Sequence, residues 1–148
     1  MNTTSHSGTP ATETRPPLVI SDVDAERLRA LVSKIRTGPL LDAAERLEQE
    51  LDRARIVPAS EIPADVVTMR SRVVYQDLAS GKQREATPVY PSEADPSKGR
   101  ISVLAPVGSA LIGLRVGQPI QWPTPSGDAT IVVLAVSYQP EASGDADL

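Results

Sequence analysis

Side chains able to do chemistry are scarce in this chain, and their spacing argues against most reactions. Cysteine is absent and the single histidine is His6, in a head rich in Ser, Thr and Pro. A serine-type triad has no base outside that head, a zinc site lacks its usual ligands, and transfer through a phosphohistidine has no carrier. Gly108 and Gly113 are spaced as in the phosphate loop G-x-x-x-x-G-K-[ST], but Leu114-Arg115 follow. The lysine for the β- and γ-phosphates and the hydroxyl for Mg²⁺ are therefore missing. Glu48 and Asp52 share a helix face at i, i+4 and could hold Mg²⁺ weakly, although exposed helix charge is the simpler account. The expectation is a binding protein with no catalytic residues, no metal site and no cofactor.

The elements that must carry such a function gather around residues 101–117, ISVLAPVGSALIGLRVG. Residues 101–104 read as a central strand ended by Pro106. Gly108-Ser109 then read as the N-cap of a short helix through Ala110, Leu111 and Ile112, stopped by Gly113, with Gly117 closing the next turn. Upstream, Ser21 with Asp22, Asp24 and Glu26 marks a helix start. Leu28, Leu31, Val32 and Ile35 form its apolar face, which predicts a helix to Arg36. Thr37-Gly38-Pro39 breaks it, with Pro39 suited to open a second helix. That helix carries Leu40, Ala44, Leu47, Leu51 and Ala54 as an a/d seam and a mixed-charge outer face including Glu50. The two make an antiparallel helical hairpin whose arms, of about 15 residues, reach about 22 Å.

Residues 56–63 read as a connector. Strands at 66–78 and 82–90 flank the turn Ala79-Ser80-Gly81, and Pro88 points to an edge strand or a bulge there. This pair collects Arg70, Arg72, Lys82 and Arg84, either to protect an edge or to face an acidic partner. Residues 91–99 are a polar loop. Strands follow at 119–122 and 129–138, the latter with Ile131-Val132-Val133-Leu134 expected to be buried on both faces, and an acidic tail closes the chain.

Composition sets outer limits. The chain has 148 residues, 40% of them hydrophobic, no Phe and one Trp, so its core is aliphatic. A net charge of -4 and a pI near 5.0 oppose nucleic-acid binding through a broad basic surface. No 18-residue apolar run and no apolar leader occur, so neither membrane insertion nor secretion is expected. The absence of cysteine fits a reducing compartment, and a cytoplasmic location is expected.

The 101–117 run, followed by Pro119-Ile120-Gln121-Trp122 and Ser137-Tyr138, resembles the C-terminal domain of the bacterial transcript-cleavage factors GreA and GreB. Over residues 19–142 the chain is most similar to the shorter Rnk branch of that family, the regulators of nucleoside diphosphate kinase. The resemblance takes in SDVDAER, ELDRA, DVVTM and YQPEA. It implies an α+β chain: a flexible segment at 1–19, a short antiparallel coiled-coil hairpin at 20–57, an FKBP-like antiparallel sheet domain with a short helix at 58–139, and an acidic tail at 140–148.

The resemblance further implies docking on RNA polymerase at the rim of its secondary channel, through Ser102, Leu104 and Pro106, in competition with Gre-type factors. Leu104 stands where the cleavage factors often carry an acid. At the hairpin tip Asp42 is the one carboxylate, where cleavage factors use an acidic cluster to bring Mg²⁺, so transcript cleavage is not expected. An FKBP-type domain also raises prolyl isomerase or chaperone-like activity, for which a chain without Phe has little to build an aromatic cleft. A protein-interaction module with another partner is the third alternative.

Overall fold

Ser21 opens the first helix as its residue type suggests, its Oγ accepting the Asp24 N–H at 3.1 Å. In this computed structural model, which describes residues 18–124 and 127–144, the helix α1 (Asp22–Ser33) stops at Lys34 and so falls short of Arg36. The second helix, α2 (Leu41–Arg53), begins two residues after Pro39. Pro39 lies instead inside the turn closed by the Leu41 N–H on the Gly38 carbonyl at 3.2 Å. Ala44, Leu47 and Leu51 are buried between the helices and the rest of the molecule. Leu40, expected in the seam, is 47% exposed, and Glu50, expected outside, is 1% exposed. The Glu50 carboxylate meets Arg53 one turn on at 2.9 Å, which offsets part of the cost of burying the charge.

Two short strands missed by periodicity close the base of the helical pair. β1 (Val19–Ser21) and β2 (Arg55–Val57) run parallel, Val19 opposite Arg55. Each has only three residues, too few to show an alternating pattern. Leu18 and Val19, expected in the flexible head, are thus part of the fold. The Val19 N–H donates to the Gly113 carbonyl and the Leu18 carbonyl accepts the Arg55 N–H.

The larger sheet contains β3 (Arg72–Asp77), β4 (Gln83–Val89), β5 (Arg100–Ser102), β6 (Pro119–Thr124) and β7 (Gly127–Tyr138), in the order β5-β4-β3-β7-β6. Its pairs are antiparallel except β4 with β5. The sheet is therefore mixed, because residues 90–99 carry the chain back through two single 3-10 turns before β5. The 101–104 segment is thus not the central strand: β5 lies at the sheet edge and β3 at the centre. Strand β3 starts late, because a tight turn at Thr68–Ser71, with Arg70 at φ 69°, interrupts the apolar run from Val66.

Pro88 sits in neither an edge strand nor a bulge. Pairing to β3 ends at Ala86 and pairing to β5 takes over from Thr87, so no ladder bond is demanded of its nitrogen. In β7, Ile131 and Val133 are buried but Leu134 is 38% exposed, so only one face is covered.

The short helix α3 (Pro106–Leu111) begins at Pro106, earlier than expected, and contains Gly108 and Ser109. Gly113, at φ 82°, turns the chain out of it. Two apolar clusters meet here. One joins the sheet to α3 through Tyr75, Leu111, Leu114, Ile120, Trp122 and Val133. The other joins the helical pair to the segments around α3 through Leu28, Val32, Leu47, Leu51, Leu104 and Ile112. The described start of the tail is docked as well. Gln139 is 3% exposed, and its amide donates to the Pro63 and Val66 carbonyls at 2.7 and 2.8 Å.

Candidate partner-binding site

The expected docking segment is a braced loop between β5 and α3. The Ser102 hydroxyl accepts the Leu104 N–H at 3.1 Å, and its carbonyl accepts the Ala105 N–H at 2.9 Å. Ser109 donates its hydroxyl to the Val103 carbonyl at 2.6 Å. Pro106 fits the first turn of α3 because no amide hydrogen is needed there. Gly108 packs so closely on β5 that an added Cβ would stand 2.1 Å from the Ser102 carbonyl oxygen. At Gly113 a Cβ would stand 2.9 Å from that of Leu18. Both glycines of the apparent phosphate loop therefore serve close backbone packing.

This geometry separates the three residues. Ser102 and Pro106 are half-buried and keep surface facing outward, as do Ile101, Ala105 and Val107 beside them. Leu104 is 5% exposed and belongs to the cluster under the helices. Its side chain anchors the loop and offers no surface to a partner. Ile101 and Val107 pack in part against the sheet cluster, and alternation in so short a segment does not say which of its side chains points inward.

Asp42 is exposed in the first turn of α2, at the turn between the helices. Asp52 pairs with Arg29 of α1 at 3.0 Å, both largely exposed, so it is engaged across the helices. Among the described residues, no group of three or more His, Asp or Glu could hold a metal ion.

Between α1 and the sheet domain lies a cluster the sequence did not reveal. Asp24 is 6% exposed and accepts the Met69 N–H at 3.1 Å. Burial pushes its carboxyl up to about 6, against the pull of that hydrogen bond and with a further push from Glu141. Thr68 donates its hydroxyl to Glu141 at 2.7 Å, tying the tail to the same turn. Arg70 grips Glu93 through two hydrogen bonds and lies over the Tyr90 ring at 5.7 Å. The Glu93 carboxyl is held below its usual value by this bond, and burial pushes the Tyr90 hydroxyl up to about 12. The spacing Ser21-x-x-Asp24 reads equally well as an ordinary helix start, so no local signal marks Asp24 as a tertiary anchor. Of the four basic residues noted on the β3–β4 pair, Arg70 and Arg72 line one cleft, while Lys82 is at the hairpin turn and Arg84 lies in β4 opposite Tyr75.

The mixed α+β architecture, with paired helices ahead of a sheet and a braced β5–α3 loop, defines a class. Residues 62–138 match the family model described as "Transcription elongation factor, GreA/GreB, C-term", and residues 16–57 match "Rnk N-terminus". The chain is 48% identical over 132 residues to the regulator of nucleoside diphosphate kinase of Escherichia coli K12, covering 88% of this chain and 96% of that one. It is 37% identical over 92 residues to transcription elongation factor GreA of Clostridium beijerinckii, covering 62% and 58%. A solved GreA/GreB structure from Nitrosomonas europaea superimposes with a TM-score of 0.67 at 42% identity, covering 84% of this chain and all of that one. The chain belongs to the Rnk branch of the GreA/GreB family. It is a transcription-factor-like regulator with the GreA/GreB fold.

Proposed function

We propose that this chain is a non-catalytic regulator that binds bacterial RNA polymerase at the rim of the secondary channel and obstructs longer, channel-entering Gre-type factors. The observation that carries this reading is the arm. Helices of 12 and 13 residues span about 18–20 Å, carry one exposed carboxylate at their turn, Asp42, and pack back on the sheet domain through Leu28, Leu47 and Leu104. Such an arm can occupy an entrance but brings no acidic cluster for two-metal chemistry.

In this reading the helices are a short antiparallel coiled coil, roughly 20–57, and residues 58–139 are an FKBP-like domain that supplies the dock. Ser102 and Pro106 touch the polymerase, with Ile101 and Val107 beside them, and Leu104 holds the loop from within. Partner and compartment go together, so we place the protein in the cytoplasm, with no membrane and no sequence-specific nucleic acid among its partners. Prolyl isomerisation is not favoured: Trp122 and Tyr75 are 2% and 6% exposed, and the two aromatics that do line clefts, Tyr90 and Tyr138, lie under the guanidinium groups of Arg70 and Arg72.

The test is binding of the purified chain to core RNA polymerase, followed by transcript cleavage in a backtracked complex with and without GreB. Binding, no cleavage by the chain alone, and a fall in GreB-dependent cleavage are expected. Failure to bind polymerase would leave an interaction module for another partner.

A further inference from the structure

Two clefts adjoin along one side of the molecule. One, of about 480 Å³, lies between α1 and the segment around Tyr90; the other, of about 650 Å³, runs along the ends of β4, β5 and β7. They share Arg70, Ser92 and Glu93 and so meet at the Arg70–Glu93 ion pair as two arms of one groove. Six basic side chains line it: Arg27, Lys34, Arg70, Arg72, Lys98 and Arg100, against two carboxylates, Glu93 and Asp95. In a chain of net charge -4, this is a local excess of positive charge, which focuses the field on anions.

We propose that this groove binds an acidic segment of a protein partner, one in which glutamates or aspartates outnumber but are interspersed with basic residues. Three features select that chemistry. Arg70 and Arg72 lie over the rings of Tyr90 and Tyr138, at 5.7 and 5.8 Å. The Arg70 fork is taken up by Glu93, whereas Arg72, held over Tyr138, keeps its planar fork oriented for bidentate carboxylate recognition. Those same arginines occupy the tyrosine faces that stacked bases would need. Asp95, set among the cations while Glu93 is neutralised by Arg70, repels an unbroken run of phosphates but matches a basic side chain in an otherwise acidic segment.

The groove is distinct from the β5–α3 loop, so this inference stands or falls independently of the polymerase dock. The experiment uses the full chain and fluorescence anisotropy at low salt, with two labelled probes: a glutamate-rich peptide carrying interspersed lysines, and an oligouridylate of matched net charge. The wild type is expected to bind the peptide more tightly than the oligouridylate. Arg72→Glu with Arg100→Glu should weaken peptide binding about tenfold or more, equivalent to about 1.4 kcal/mol. Lys82→Glu with Arg84→Glu, an equal charge change outside the groove, should alter it less than about twofold. Ser102 and Pro106 variants should leave it unchanged.

Circular dichroism checks the fold. If loss of the Arg72–Tyr138 contact unfolds the first variant, Lys98→Glu with Arg100→Glu carries the same expectation. No peptide binding by the wild type, or equal weakening by the groove and control pairs, overturns the proposal. Tighter, groove-dependent binding of the oligouridylate overturns it in favour of nucleic acid.

Discussion

Burial raises the Asp24 carboxyl from the ordinary 3.8 to about 6, and this sets the sign of a pH effect. Between pH 6 and 4 the folded state holds a proton that the unfolded state has lost, so this group stabilises the fold as pH falls and withdraws that stability as pH rises through 6. The change is of order 2–3 kcal/mol. Glu93, held low by Arg70, acts oppositely and only further down, losing its contribution as pH falls through its depressed value. Urea midpoints should therefore be higher at pH 5 than at pH 7. Asp24→Asn, which keeps an acceptor for the Met69 N–H, should raise the midpoint at pH 7 and abolish the difference. A wild-type midpoint that falls steadily from pH 7 to 5 would contradict this. Gly108 gives a second residue-scale test. A methyl group aimed at the Ser102 carbonyl cannot be accommodated without moving backbone, so Gly108→Ala should cost about 1–3 kcal/mol in thermal or urea denaturation.

The β5–α3 loop combines a buried anchor with a half-buried outer surface, and the two respond differently to truncation. Leu104→Ala removes apolar volume from beneath the helices and should cost about 2–5 kcal/mol of stability. Ser102→Ala and Pro106→Ala should alter stability by less than about 1 kcal/mol while, if the loop is the dock, each weakens polymerase binding measurably. A folded double variant at Ser102 and Pro106 that binds polymerase like wild type would remove the loop from the interface. The helical turn makes the contrasting case. Leu40 is exposed and Asp42 lies outside the apolar clusters. Replacing residues 36–42 by a shorter turn should leave polymerase binding intact and relieve the obstruction of GreB; loss of binding would show that the arm, not the sheet domain, is the anchor.

For the whole molecule, the arm and the sheet domain act as one packed body joined by Leu28, Leu104 and Ile112 and by the Asp24 carboxylate on Met69. An arm held this way has its reach fixed by two short helices. Added Asp or Glu beside Asp42 should therefore not confer transcript cleavage on a backtracked complex. Cleavage appearing in such a variant, or in the wild type and falling with Asp42→Ala, would mean that the arm extends in the complex.

Much of this was legible in the residues alone. Leu28 and Val32, then Leu47 and Leu51, announced two helices with one apolar face each, and Ser21 announced where the first begins. Gly81, Gly113 and Gly117 adopt positive φ at turns their neighbours had already suggested. The order of motifs from Val19 to Ala142 carried the family. These are local properties, because period, capping and turn chemistry involve residues within a few positions of one another. Tertiary structure alone decided that β5 is an edge strand, that Leu104 points inward, that Glu50 is buried, and that residues from α1, the Tyr90 segment and β5 line one basic groove. Asp24 finds Met69 45 positions along the chain and Gln139 finds Val66 73 positions back. A pattern of apolar residues states which face must be covered but not what covers it, and a polar side chain is priced by the partner it meets, which only the folded chain supplies.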